Sequence, residues 1–157
     1  MLELKRLSVD DGLDIYTMLQ EIPAEENGLI NKANGLTFDE YKEWLIVKQR
    51  DSEQEGIVDG WKVPSTTFWL YADGIPVGFG SVRHFLTEAL RKAGGNIGYG
   101  IALLRLLLNE AKEMGIDKVL VTILLDNIAS QAVAIANGGV VTERTDERVF
   151  IWIDSVD

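Results

Sequence analysis

Few side chains in this 157-residue chain are suited to proton transfer or nucleophilic chemistry. His84 is the only imidazole; it is a candidate general base, although a lone His on a strand is also a common structural hydrogen-bonding residue. Tyr99 is a candidate acid or a packed aromatic residue. Arg83 points to the face of the strand opposite His84 and is suited to a substrate carboxylate or a surface acid. Cys is absent and His is single, so thiolate and multi-His ligand sets are excluded and we expect no metal site.

The stretch from Gly94 to Gly139 is predicted to hold the functional centre. It reads as strand, helix, strand and helix, over 96–101, 102–114, 118–125 and 127–137. The last helix opens on Asn127, directly after an apolar strand, and such helix N-termini bind anions because free backbone N–H groups converge there. Gly98 and Gly100 precede the first helix, but Leu103 stands where a dinucleotide-binding motif needs its third Gly. The pattern therefore indicates an anion-binding α/β unit of another type.

The rest of the chain predicts a single domain over residues 1–157, of the α/β (α+β) class. A capping box at 37–40 starts a helix, and the Asp-Gly pair at 73–74 forms a hairpin turn. The segment 24–35 is expected to be a loop, and 87–95 a short helical or irregular link. We predict the order β α α β β β α β α β β: a mixed, mostly antiparallel sheet of about seven strands with a central parallel βαβ pair, and about four helices.

The link between the strand at 96–101 and the next helix is unusually short. Strand-to-helix connections take about two to six residues and usually end in Ser, Thr, Asp or Asn as the helix cap. The sequence GYGIALLRLLL offers no such residue. Either Gly98 and Gly100 make the turn themselves, or the native chain has a further flexible segment between Ile101 and Ala102. An intact mass equal to 17.5 kDa would exclude a further segment.

The charge and hydropathy of the chain exclude several classes of partner. The net charge of −10 argues against nonspecific nucleic-acid binding, which needs Lys and Arg against phosphates. An acidic surface favours cationic substrates such as amines, or serves solubility alone. No apolar run is long enough to span a membrane, and the N-terminus has no signal-peptide pattern. We therefore expect a cytoplasmic protein without a membrane partner.

Several local patterns, taken in order, resemble the GNAT superfamily of acyl-CoA-dependent N-acetyltransferases, and within it a branch of bacterial predicted acetyltransferases. They are IPAEENG (22–28), VGFGSVRHFL (77–86), GGNIGYGI (94–101), GIDKVLVT (115–122), DNIAS (126–130) and ANGG (136–139). As element order, the resemblance covers almost the whole chain. It implies a GNAT-like fold and acetyl-CoA as the co-substrate. It also implies that the strand 96–101 splays from the strand 118–125, with the pantetheine arm between them.

The resemblance assigns cofactor-binding residues at the end of the first of these strands and at the start of the last helix. Backbone amides of the first group would hold the thioester oxygen as an oxyanion hole. Asn127 and Ser130 match the family's Asn and small polar residue beside the CoA arm. The implied cofactor-binding set is Gly98, Tyr99, Gly100, Ile101, Asn127 and Ser130.

The chain departs from the family pattern in two places. The Arg/Gln-x-x-Gly-x-Gly/Ala pyrophosphate loop is expected between Ile101 and Ala102 and does not occur there. Ala134 stands where many members have a Tyr that protonates the leaving thiolate. The loop around Glu26 lines the acceptor side in this superfamily, where acidic residues suit a cationic amine; a solvated loop is the alternative. The candidate catalytic residues are therefore His84, Tyr99 and Glu26.

These inferences predict transfer of an acetyl group from acetyl-CoA to a small-molecule amine. We expect direct attack of the amine on the thioester, since the chain has no Cys and no Ser-His-acid pattern. The alternative is a catalytically weak acyl-CoA-binding or regulatory module on the same fold, which the absent loop and Tyr favour. Edge strands near the C-terminus are compatible with a homodimer.

Overall fold

The computed structural model describes residues 1–57, 60, 62–99 and 103–155. Within these residues the chain forms nine strands and five helices. In chain order they are β1 (Leu2–Arg6), α1 (Leu13–Glu21), β2 (Glu25–Glu26), β3 (Leu29–Ile30), α2 (Phe38–Glu53), β4 (Ser65–Ala72), β5 (Ile75–Arg83), α3 (Glu88–Lys92), β6 (Ile97–Tyr99), α4 (Leu104–Glu113), β7 (Lys118–Leu124), α5 (Ile128–Ala136), β8 (Val140–Arg144) and β9 (Arg148–Asp154).

The strands and the helix beyond the predicted number lie in the segment expected to be a loop, 24–35, and in the one expected to be a short helical or irregular link, 87–95. β2 and β3 pair with Glu26 opposite Leu29, inside the predicted loop at 24–35. The turn between them has positive φ at both residues, 51° at Asn27 and 85° at Gly28. Two such residues match the twist of flanking strands, which is why Asn-Gly forms hairpins. The predicted loop therefore contains a short hairpin, and α3 occupies the predicted link at 87–95.

The main strands form two antiparallel sheets. One has the order β1-β4-β5-β6 and the other the order β7-β9-β8. The predicted mixed α and β character and the predominance of antiparallel pairing are confirmed. A parallel ladder between β6 and β7, which would have joined all these strands in one sheet, is not among the strand pairings of the described residues. The parallel direction of these two strands stays a prediction.

The two sheets meet just before β6. The Asn96 N–H donates to the Leu120 carbonyl at 2.7 Å, and the Leu120 N–H donates to the Asn96 side-chain oxygen at 2.9 Å. The backbones are so close here that a Cβ on Gly95 would lie 2.3 Å from the Leu120 carbonyl oxygen. The φ of Gly95, +62°, also favours glycine. Since no ladder continues from this contact through the described residues, a gap opens between β6 and β7.

Helices cover both faces of the four-stranded sheet. Successive residues of β4 belong to two different cores, because strand side chains alternate between faces. Trp69 packs with α1 and α2, whereas Phe68 and Leu70 belong to the core that contains α4. On the α4 side, a Cβ on Gly80 would lie 2.7 Å from Leu107 Cδ1, so glycine at this position allows α4 to pack close to the sheet. None of the helices described here is long and apolar enough to cross a lipid bilayer.

Candidate functional site

The edge of β6 that faces β7 carries unpaired backbone groups. On its other edge, the Arg83 N–H donates to the Asn96 carbonyl at 2.7 Å and Gly98 lies opposite Ser81. Hydrogen bonds alternate along an antiparallel ladder, so the N–H and C=O groups of Ile97 and Tyr99 point away from β5. Of the described strands, none pairs with β6 on that side. This edge can therefore accept another hydrogen-bonding chain.

A cavity of about 300 Å³ occupies the gap between β6 and β7, and we call it the cleft cavity. The start of α5 and the Asn27-Gly28 turn also line it. Its lining combines apolar side chains with glycines and a few polar groups. Arg83 and Arg148 are the charged residues among the described lining, and no described Asp or Glu belongs to it. The cavity therefore suits a partly apolar, uncharged or anionic chain.

Asn127 closes one end of the cleft cavity. It is the N-cap of α5, and its side-chain oxygen accepts a hydrogen bond from the Ser130 N–H at 3.2 Å. Its side-chain nitrogen donates to the Asn27 carbonyl at 3.4 Å, which ties the β2–β3 turn to the helix. The cap confirms the predicted start of this helix near Asn127. As a result, the N-terminus of α5 lies beside the cavity.

Tyr99 spans the cleft. Its hydroxyl donates a hydrogen bond to the Ser130 carbonyl at 3.2 Å, and both residues line the cleft cavity. Burial raises the pKa of Tyr99 to about 12. The phenol is therefore protonated at neutral pH and acts as a hydrogen-bond donor. The structure thus brings together four of the predicted residues: Gly98, Tyr99, Asn127 and Ser130.

A second cavity, of about 270 Å³, lies between α2 and the sheet, and we call it the α2 cavity. One row of small residues forms part of its wall, since Thr67 lies opposite Ser81 and Ser81 lies opposite Gly98 on adjacent strands. The charged residues of its described lining are all cationic: Lys32, Lys48, Lys62 and Arg83. Arg83 and Gly98 also line the cleft cavity, so the two cavities adjoin at β6.

His84 lies outside both cavities. Its Nε2 is 2.8 Å from the Thr66 hydroxyl, and its backbone N–H donates to the Pro64 carbonyl at 2.9 Å. Burial lowers the pKa of His84, and the nearby Arg6 lowers it further. The side chain is therefore neutral at pH 7 and held by a neighbouring strand. No described group of His, Asp and Glu side chains could hold a metal ion.

Glu26 is exposed in β2 and does not line either cavity. Its neighbours Asn27 and Gly28 line the cleft cavity instead. The predicted cofactor residues Gly100 and Ile101 lie outside the described residues, as does the expected position of the pyrophosphate loop.

Sequence reasoning did not single out Lys48, Lys62 or Arg148. Lys48 belongs to a long amphipathic helix, where lysines are usually solvated, so its type and spacing carry no separate signal. Arg148 begins β9 and donates from Nη1 to the Thr122 hydroxyl at 3.4 Å. In the pairing of β7 with β9, Arg148 lies opposite Leu124, and the sequence alone does not give this register. These residues reach the cavities through tertiary packing.

Neither a family model nor a curated protein sequence matches the chain. Solved structures do match it. PseH, an N-acetyltransferase from Campylobacter jejuni, is 9% identical, with 98% of this chain and 97% of that chain covered and a TM-score of 0.60. An acetyltransferase of the GNAT family from Streptococcus pneumoniae is 15% identical, with 97% and 98% covered and a TM-score of 0.56.

A third match is MccE, the Microcin C7 self-immunity acetyltransferase, whose structure is a complex with acetyl-CoA and AMP. It is 11% identical, with 98% of this chain and 92% of that chain covered and a TM-score of 0.63. Likeness at these identities establishes the architecture. The chain therefore has the fold of the GNAT acetyltransferases.

Proposed function

We propose that this protein transfers an acetyl group from acetyl-CoA to the amine of a small-molecule acceptor. The observation that carries the proposal is the gap between β6 and β7, with an unpaired strand edge on one side and the N-terminus of α5 at its end. The shared fold supports it, since MccE, which has this fold, is an acetyltransferase bound to acetyl-CoA.

The described residues fit the acyl-pantetheine part of acetyl-CoA. The backbone groups of Ile97 and Tyr99 face the gap and can pair with the amides of an extended arm, as in addition of a strand to a sheet edge. Gly98 has no side chain to block it, and Asn127 and Ser130 supply polar groups at the far end. We assign no residue to the pyrophosphate, because the expected loop position lies outside the described residues.

In this proposal the acceptor enters through the α2 cavity and meets the thioester near Gly98. The amine nitrogen forms a bond to the thioester carbon, the C–S bond breaks, and the thiolate takes up a proton from water. Backbone N–H groups on the open edge of β6 stabilise the oxyanion. The Tyr99 hydroxyl exchanges its hydrogen bond to the Ser130 carbonyl for one to the leaving sulfur. No described imidazole or carboxylate lines either cavity, so water receives the amine proton.

A titration with acetyl-CoA, followed by a panel of amines with detection of free CoA, tests the proposal. We expect saturable binding and CoA release with at least one amine. Gly98→Val is the test variant: its Cβ would lie 3.7 Å from Ser81 Oγ and 4.0 Å from Leu29 Cδ1, where the two cavities adjoin, and we expect it to weaken both steps. Binding without release for any amine would instead support the catalytically weak acyl-CoA-binding module. No binding would contradict both functions.

A further inference from the structure

The α2 cavity has a charge opposite to that of the whole protein. The chain has 25 acidic and 15 basic residues, yet the charged residues of the cavity's described lining are three lysines and one arginine. Glu26, in the loop expected either to suit a cationic amine or to be solvated, is exposed and is not part of this lining. A cationic cavity in an acidic protein points to an anionic ligand.

Among the described residues, carboxylates neutralise only part of this positive charge. Lys62 forms an ion pair with Asp51 at 2.9 Å, and Asp51 is buried. Lys48 makes no ion pair or hydrogen bond with any described residue; its Nζ lies 5.8 Å from the centre of the Trp44 ring. Burial lowers the pKa of Lys48, and the positive charges of neighbouring basic residues add to this effect while Asp51 opposes it. The ammonium of Lys48 is therefore held near other cations, and no described carboxylate is paired with it.

Arg83 is also without a carboxylate partner among the described residues. Its Nη1 donates to the carbonyls of Gly94 at 3.1 Å and Gly95 at 3.0 Å, and these bonds fix the guanidinium between the two cavities. Its other nitrogens make no hydrogen bond to the described part of the chain, which leaves donors of the planar fork for a ligand. Burial lowers the pKa of Arg83, and burial of an unpaired guanidinium is costly unless an anion offsets it.

We propose that the acceptor carries an anionic group, a carboxylate or a phosphate, in addition to its amine, and that Lys48 and Arg83 bind this group in the α2 cavity. The amine part of this inference rests on the proposed acetyl transfer; the anion site does not. Trp44, Phe79 and Leu29 also line the cavity and can contact an apolar part of the same molecule.

The anion site has a consequence for the amine. A protonated amine is disfavoured beside like charges, so the cations of the α2 cavity lower the pKa of the bound ammonium. The uncharged amine is the form that attacks a thioester. The same residues that select the acceptor thus promote its deprotonation, in a cavity where no described side chain acts as a base.

The test compares acceptors in matched pairs that differ in one anionic group. The pairs are L-phenylalanine with L-phenylalaninamide, and phosphoethanolamine with ethanolamine. Binding is measured by calorimetry on the full chain, and turnover by release of CoA from acetyl-CoA. Lys48→Gln removes the charge, Lys48→Arg keeps it, and Lys118→Gln is the control, because Lys118 is exposed and is not part of either cavity lining.

We expect the anionic member of at least one pair to bind about 10- to 100-fold more tightly, the range of a charge-assisted hydrogen bond. The pair that shows this difference identifies the carboxylate or the phosphate as the recognised group. Lys48→Gln should remove most of the difference, while Lys48→Arg and Lys118→Gln should retain it.

Two outcomes separate this inference from the proposed function. Anion-selective binding without CoA release would support the anion site and contradict acetyl transfer to these acceptors. Equal or better binding and turnover of the uncharged members would overturn the anion site while leaving acetyl transfer intact.

Binding of neither member of either pair would also overturn the anion site. An anion preference unchanged in Lys48→Gln would overturn the role of Lys48.

Discussion

The cleft cavity and the α2 cavity adjoin at Gly98 and Arg83, but they are built in different ways. The cleft cavity lies along backbone features: the open edge of β6, the start of α5 and the turn at Asn27-Gly28. The α2 cavity takes its charge from long cationic side chains that come from separate parts of the sequence.

This difference separates binding by backbone groups from binding by side chains. A strand edge and a helix N-terminus bind through N–H and C=O groups that any sequence with this fold supplies. Such a site suits a co-substrate shared by many proteins. A cavity whose charge depends on a few side chains can change its ligand by substitution, so it suits the acceptor.

We expect the largest effect from disrupting the close contact between Gly95 and Leu120 at the base of the cleft. Gly95→Ala places a Cβ 2.3 Å from the Leu120 carbonyl oxygen and forces a non-glycine residue to a φ of +62°. We expect the free energy of unfolding to fall by about 4 kcal/mol, from backbone strain together with overpacking. Urea unfolding followed by circular dichroism measures the change.

Gly115→Ala is the matched control for this contact. Gly115 also has a positive φ, +78°, but no atom lies within 4 Å of the added Cβ. The free energy of unfolding should fall in this variant by only about 1 kcal/mol, which is the cost of the left-handed conformation. Equal losses in the two variants would show that the approach of Gly95 to β7 does not stabilise the protein.

The next prediction concerns the pH dependence of stability at Tyr99, which bridges the cleft. Burial raises the pKa of Tyr99 to about 12, above the value of about 10 for an unfolded Tyr. Between these two values the unfolded chain loses the proton while the folded chain retains it. The free energy of unfolding therefore falls as pH rises from about 10 to 12, by about 2 to 3 kcal/mol from this residue.

Tyr99→Phe should remove this part of the alkaline decrease, which denaturation at several pH values from about 8 to 12 would measure. Tyr41 and Tyr71, whose pKa values burial also raises, remain in both proteins and provide the common background. Identical pH dependence in the two proteins would mean that the Tyr99 hydroxyl is not buried in the cleft.

Loss of a helix cap should have a smaller effect, which differs between a cap at the cleft and a cap outside it. Asn127→Ala removes the cap of α5, and Thr37→Ala removes the capping-box residue of α2. Each should cost about 1 kcal/mol of stability. Only Asn127→Ala should also weaken acetyl-CoA binding, because Asn127 lines the cleft cavity. An equal loss of binding in Thr37→Ala would show that the weaker binding results from lower stability and not from the cleft.

The parts of the fold that sequence predicted well depend on short-range signals. The capping box of Thr37 and Glu40 and the cap at Asn127 occur as expected, because a cap is decided within about four residues. The Asn27-Gly28 hairpin carried an equally local signal, but the polar composition around it favoured a loop.

Short-range signals in the sequence did not predict the junction of the sheets or the charge of the α2 cavity. The sequence does not reveal that the Asn96 side chain takes the place of a β6 backbone group in pairing with Leu120. Lys48 has the spacing of an ordinary solvated helix residue, and the net charge of −10 was compatible with a cationic ligand or with solubility alone. Both features depend on residues brought together from distant positions.

The smallest expected effect concerns His84, the only imidazole of the chain. The side chain contacts Thr66 and lies outside both cavities. His84→Gln should therefore leave kcat/KM for acetyl transfer within about threefold, well short of the loss of about 10²-fold or more expected for a general base. A loss of that size with unchanged folding would restore His84 as the base.

Stability at acid pH gives an independent readout of the same residue. Because burial lowers the pKa of His84, the unfolded chain binds a proton near pH ~6.5 before the folded chain does. The free energy of unfolding therefore falls as pH drops below this value, and His84→Gln should lessen that fall. Unfolding curves between about pH 5 and 8 measure it. An altered acid dependence with unchanged turnover would assign His84 to the structure that supports the cavities, separate from the chemistry within them.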